Sequence, residues 1–147
     1  MSGRDVETHD RLLRTAARLF AEQGFKRVTV RDISRASRAN VAAVNYHFGN
    51  KLGLYGEVLR SAIGVLQTTT EAARREGEGC PPEEQFRRFV HVYLRALLAT
   101  PDDWIHRLIK REIEDPTPAL DALVDQGLRP RIEYLSGIVA AIIGCSH

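Results

Sequence analysis

The chain has 147 residues, 44% hydrophobic and 27% charged, a composition that supports a packed core and excludes fibrous and disordered classes. Its net charge of +2 is uneven: residues 1–60 hold 11 Lys/Arg against 6 Asp/Glu, net +5, while 61–147 hold 10 against 13, net −3. With no charged-then-apolar leader, no bilayer-length apolar run and no paired or metal-like spacing of Cys80 and Cys145, the sequence reads as a cytoplasmic chain, without membrane association, whose two thiols are free and inert.

Every segment has helical periodicity and none alternates like a strand, so the expected class is all-α. A first helix from about Thr8 to Gln23 places Leu12, Leu13, Ala16, Leu19 and Phe20 on one stripe and ends at Gly24, with Phe25 packing beneath the next elements. Thr29 and Asp32 have the spacing of a capping box, opening a short helix with Val30, Ile33 and Ala36 on its inner face. Ser37-Arg38-Ala39 forms a turn. Asn40 caps a second short helix from Val41, with Val41, Val44 and Phe48 expected inward and Gly49 ending it.

Asn50 then caps a long helix from Lys51 to about Arg75, carrying Leu52, Tyr55, Val58, Leu59, Ala62, Ile63 and Leu66. Gly53, Gly56 and Gly64 within it each cost about 1 kcal/mol relative to Ala, which points to close packing or to a helix that bends. Gly77 to Pro82 is a linker, and Pro82 opens a helix to about Ala99 with Phe86, Phe89, Val90, Tyr93, Leu94, Leu97 and Leu98 inward. After a break at Pro101, Asp102 caps a helix from Trp104 to Glu114 with Ile105, Leu108, Ile109 and Ile113 inward. Leu120 to Leu128 is a short helix. A last one from Pro130 to Ile143 carries six large aliphatics that need a partner surface.

Two short helices around a turn, at the positively charged end of the chain, are the pattern of a DNA-reading head. Small Ala42 and Ala43 let a backbone approach a groove, while Asn45, Tyr46 and His47 offer donors, acceptors and a ring edge. Lys51 opposes a helix dipole in its first turn, a cost that a nearby DNA phosphate reverses and that a solvated lysine tolerates.

The segments ETHDRLLRTAARLFAEQGFKRVTVRDIS and ANVAAVNYHFGNKLGLYGEVL, in this order and spacing, resemble the DNA-binding domain of the TetR family of one-component transcriptional regulators over residues 7 to about 60. NVAAVNYHFGNKLGLY with REIEDPTPALDALVDQGLRPR is similar to a subgroup linked to cefoperazone and chloramphenicol sensitivity. The resemblance implies a three-helix helix-turn-helix DNA-binding head, residues 1–52. It also implies a helical ligand-binding and dimerisation body, 53–147, that is C-terminally short for the family. The implied function is a ligand-responsive repressor that binds a pseudo-palindromic double-stranded DNA operator as a homodimer, without a cofactor. The expected DNA-binding residues are Thr29, Arg31, Asn40, Ala42, Ala43, Asn45, Tyr46, His47 and Lys51. Of these, Ala42, Ala43, Asn45, His47 and Arg31 are expected to face bases, and Thr29, Tyr46 and Lys51 to hold phosphates. The chain departs from the family where Ser37-Arg38-Ala39 replaces the usual Ala-Gly-Val, so that Arg38 is either strained at positive φ or the turn differs. It departs again where Asn45 replaces a frequent Tyr.

For an unidentified small-molecule effector, a pocket between body helices is expected from Tyr93, Trp104, His106, Arg107 and Arg111. The five histidines never fall at metal-ligand spacing on one helix, and no phosphate loop, nucleophile elbow or zinc signature occurs, so no enzyme and no metal site is expected. Glu112 and Glu114 read as part of a solvated surface. The competing reading is a helical small-molecule-binding or scaffold protein without sequence-specific DNA binding.

Overall fold

The computed structural model describes residues 3–99 and 104–144, all of whose regular elements are helical. The expected break at Pro101, the Asp102 cap and Cys145 lie outside these residues. The elements are α1 (Gly3–Gln23), α2 (Val30–Ser37), α3 (Val41–Phe48), α4 (Lys51–Gly77), α5 (Pro82–Ala99), α6 (Trp104–Glu114), α7 (Leu120–Ala122), a π-helical segment (Leu123–Leu128) and α8 (Arg129–Ile142). Packing divides the chain into two compact units, Met1–Ser61 with Asp102–Leu120, and Ala62–Pro101 with Asp121–His147. The first unit therefore runs past residue 52 and takes in α6.

In the first unit, α1 packs against α2, α3 and α6. Its core is Leu12, Ala16, Phe20, Val28, Ile33, Val44, Leu54, Tyr55, Val58 and Leu108, all but withdrawn from water. Phe20 meets Tyr55 edge-on with ring centroids 4.9 Å apart, and Phe25 lies 4.8 Å from the same ring. α1 ends as its sequence predicts: Gly24 has φ 83 and its N–H donates to Phe20 O at 2.8 Å.

Several inward assignments are corrected. On α2 the buried positions are Ile33, Ser34 and Ser37, with Ala36 exposed, because α2 meets α1 on a face rotated from the apolar one. On α3 Val44 and Phe48, one turn apart, face inward, and Val41 in the first turn is 40% exposed. Leu52 is exposed while Leu54 is buried.

The largest correction is on α6. Ile113 is exposed and Glu112 is 1% exposed. The Glu112 carboxylate accepts from the Tyr55 hydroxyl, and from the Thr117 N–H at 2.8 Å and the Thr117 hydroxyl at 2.7 Å. Three donors replace the water that a buried carboxylate gives up, so the acid belongs to the core. Burial, and after it the bond to Glu112, push the Tyr55 phenol far above the ordinary tyrosine range, so it stays a donor. Glu114 is the solvated member of the pair, beside Lys110.

In the second unit, the Ala62–Gly77 part of α4 packs with α5 and α8 around Ala73, Phe89 and Val92, flanked by Ala72, Val90, Tyr134 and Leu135. Phe86, Leu94 and Leu98, expected inward, are exposed because Val92 and Phe89 set the buried face of α5. The two final helices expected from the sequence are a single helical run interrupted by the π-helical turn before Pro130. Proline has no N–H to return to the carbonyl of Gln126, and the Gln67 side-chain amide donates to that oxygen at 3.1 Å instead. Gly127 sits where a Cβ would lie 2.9 Å from Leu66 Cδ1, which permits the close approach to α4. On α8, Ile138 is buried, but Ile132, Val139 and Ile142 are exposed, as is Ile143 just beyond its end.

The turn between α2 and α3 takes the first of the two forms allowed by the sequence. Arg38 has φ 53 and ψ 39, and Ala39 N–H donates to Ser34 O at 2.9 Å across it. A side chain in this region costs about 1–2 kcal/mol. Arg38→Gly should therefore raise stability by about 1 kcal/mol in urea unfolding, the relief of strain exceeding the entropy that glycine adds to the unfolded chain. Glu112→Ala, which leaves the Tyr55 hydroxyl and Thr117 N–H without an acceptor, should lower it by about 3 kcal/mol, and Glu112→Gln by less.

Candidate nucleic-acid interface

The two short helices of the first unit are fixed by their caps. The Thr29 N–H donates to Asp32 Oδ2 at 2.9 Å and the Asp32 N–H to Thr29 Oγ1 at 3.1 Å, closing the box expected from the spacing. The Thr29 hydroxyl also donates to Asp32 Oδ2, at 2.6 Å. These bonds, with Arg35 nearby, hold the Asp32 carboxyl below the usual carboxylate range. Both donors of Thr29 are thereby occupied. Thr29 thus acts as the cap of α2.

Asn40 Oδ1 accepts from Ala42 N–H at 3.0 Å and starts α3, which leaves its amide N–H groups outward. Along α3 Ala42, Asn45 and Tyr46 are exposed, Tyr46 to 75%, while Ala43 and His47 are half-buried. Arg31 on α2 is exposed, as are Arg27, Arg35 and Arg38. Asp32, inside its cap, is the sole acid between Arg27 and Asn50. The surface around α3 is thus positive, the sign a phosphate backbone requires.

His47 is engaged within the first unit. Its ring lies edge-on to His9 of α1 with centroids 5.7 Å apart, and His9 stacks on Phe48 at 4.8 Å. This ring cluster seats α3 on α1. His9 was not singled out by the sequence, since nothing local links positions 38 residues apart.

Gly49, at φ 76, ends α3, and Asn50 Oδ1 accepts from Gly53 N–H at 2.9 Å to open α4. A Cβ at Gly53 would lie 2.1 Å from Phe48 O, so close packing explains this glycine, whereas Gly56 and Gly64 meet nothing and suit the bending alternative. Lys51 is half-buried. Its ammonium donates to Phe25 O at 2.9 Å and Val28 O at 3.0 Å and lies 4.2 Å from the Phe25 ring centroid. The cation is stabilised by the carbonyls of the α1–α2 corner and is not a freely solvated lysine.

The five residues expected to line an effector pocket are divided between the two units. Tyr93 belongs to the second unit, where Arg131 lies over its ring at 5.3 Å. Trp104, His106, Arg107 and Arg111 belong to the first. Arg111 donates to Glu22 O at 2.7 Å and closes the end of α1, a structural duty. Among the described residues no cluster of three or more His, Cys, Asp or Glu side chains could hold a metal, and no helix is long and apolar enough to cross a membrane.

Two family profiles match the chain: "Bacterial regulatory proteins, tetR family" over residues 12–58, and the C-terminal domain of the HTH-type transcriptional dual regulator CecR over 82–147. The chain is 28% identical to the HTH-type transcriptional dual regulator CecR of Shigella flexneri over 154 aligned residues, covering 99% of this chain and 69% of that protein. It is 42% identical over 65 residues to the HTH-type transcriptional repressor KstR2 of Rhodococcus jostii, covering 44% of this chain and 30% of that one. Among solved structures, the TetR family regulator PfmR of Thermus thermophilus superposes with a TM-score of 0.73 at 25% identity, over 98% of this chain and 74% of that chain.

Lys51→Ala strips two carbonyls of a charged donor. It should cost about 2 kcal/mol in urea unfolding, an effect visible without any DNA present.

Proposed function

Since the chain belongs to the TetR family of bacterial transcriptional regulators and is a DNA-binding regulator by that membership, we propose that it is a ligand-responsive repressor acting in the cytoplasm as a homodimer on a pseudo-palindromic operator. Residues 1–52 form the DNA-binding head and 53–147 the ligand-binding and dimerisation body. The observation that carries this reading is the outward position of Ala42, Asn45 and Tyr46 on a capped eight-residue helix amid exposed arginines.

In this reading two copies of α3 enter successive major grooves about 34–36 Å apart. Ala42 and Ala43 allow close approach, Asn45 pairs with a base edge, and Arg31 reaches a neighbouring one. Tyr46 and the outward amide of Asn40 hold phosphates. Lys51 adds its remaining N–H to a phosphate while keeping the loop carbonyls, and His47 acts at the groove's edge from its seat beside His9. The exposed Ile132, Val139 and Ile142 of α8, with Ile143 at its end, support a dimer, because an apolar strip of this kind is covered in most stable assemblies.

The test is salt-dependent binding to a selected palindrome, followed by base-by-base competition. Asn45→Ala should lose about 1–3 kcal/mol of discrimination at one base pair per half-site and keep its non-specific affinity. Tyr46→Phe should weaken specific and non-specific DNA alike. Equal affinity for every duplex, whatever its sequence, would establish the competing scaffold reading.

A further inference from the structure

The first unit contains a cavity of about 420 Å³ whose walls come from α1, the start of α4 and Trp104 at the start of α6. Leu13 and Ala17, one helical turn apart on α1, line it together with Val58 of α4 and Trp104. Arg14 and Arg18, also one turn apart, line the same cavity and are exposed at its edge. An apolar interior beside two guanidinium groups is the lining that orients a hydrophobic molecule with one anionic end, and the volume falls within the ~300–1,000 Å³ range of small-molecule sites.

The charges sharpen the choice. Arg14 makes no ion pair among the described residues, and Arg18 has only a 3.5 Å contact with the exposed Glu22, one turn along. Such a contact is weak and readily exchanged for a better-placed carboxylate, which a planar guanidinium binds through paired N–H groups. We propose that this cavity is a binding site for a compact apolar carboxylate, with its hydrocarbon body against Trp104, Leu13, Ala17 and Val58 and its carboxylate between Arg14 and Arg18. None of the residues expected to contact DNA lines it, and it shares only Trp104 with the residues expected around an effector. The site stands independently of the DNA-binding reading, because occupancy is measured without DNA.

Trp104 is the chain's one tryptophan and reports directly on the cavity. The full chain is titrated with adamantane carboxylate and with the neutral, isosteric adamantane carboxamide, following Trp104 emission. The carboxylate should give a saturable blue shift, with the carboxamide binding about tenfold more weakly, and Arg14→Gln combined with Arg18→Gln should abolish that difference. Both arginines are exposed, so the double variant keeps the fold, which its unchanged melting temperature verifies. No saturable change with the carboxylate, equal affinity for the two probes, or a preference that survives in the double variant would each overturn the proposal.

Discussion

The ammonium of Lys51 held between the carbonyls of Phe25 and Val28 is the contact on which the placement of α3 and its outer surface depends. Helices of eight residues such as α2 and α3 do not hold themselves together in water, because the cost of nucleation is recovered only through packing. Lys51 ties the α1–α2 corner to the first turn of α4. Gly53, pressed against Phe48 O, brings that same turn onto the end of α3. The His9, His47 and Phe48 rings complete the seat from the α1 side. With three attachments α3 can give its outer face to polar and small side chains, since Val44 and Phe48 alone anchor it inside.

A similar fastening appears below the head. Glu112 occupies a position on α6 that an aliphatic residue could fill, and its three donors come from α4 and from the turn after α6. An acid so placed ties three segments in one geometry, where an apolar contact would tolerate sliding. Arg111, next along, closes the α1 carboxyl end. The segment KREIED, which looks like a surface charge run, therefore contains two of the first unit's principal polar fastenings.

Much of the local structure was legible in the chain. The capping box at Thr29, the Asn40 and Asn50 caps, the Gly24 and Gly49 terminators, the α5 start at Pro82 and the bounds of α6 follow from short-range chemistry, which a few neighbouring residues specify. The positive φ of Arg38 was one of two readings that the turn sequence left open. Of the candidate interface, the outward Ala42, Asn45 and Tyr46 follow from the same helical periodicity. The carbonyl partners of Lys51 did not, because they lie more than twenty residues away in the chain.

By itself the sequence determined the helices, their caps and the positively charged end of the chain, since these depend on neighbours within a turn or two and on composition. Tertiary structure alone decided that Glu112 is core and Ile113 surface, that Gln67 takes over a carbonyl orphaned by Pro130, and that Leu13, Ala17, Val58 and Trp104 line one cavity. The physical reason is the same in each case. Burial and hydrogen-bond satisfaction are properties of where distant segments meet, and periodicity along one helix does not say which of its faces will be met.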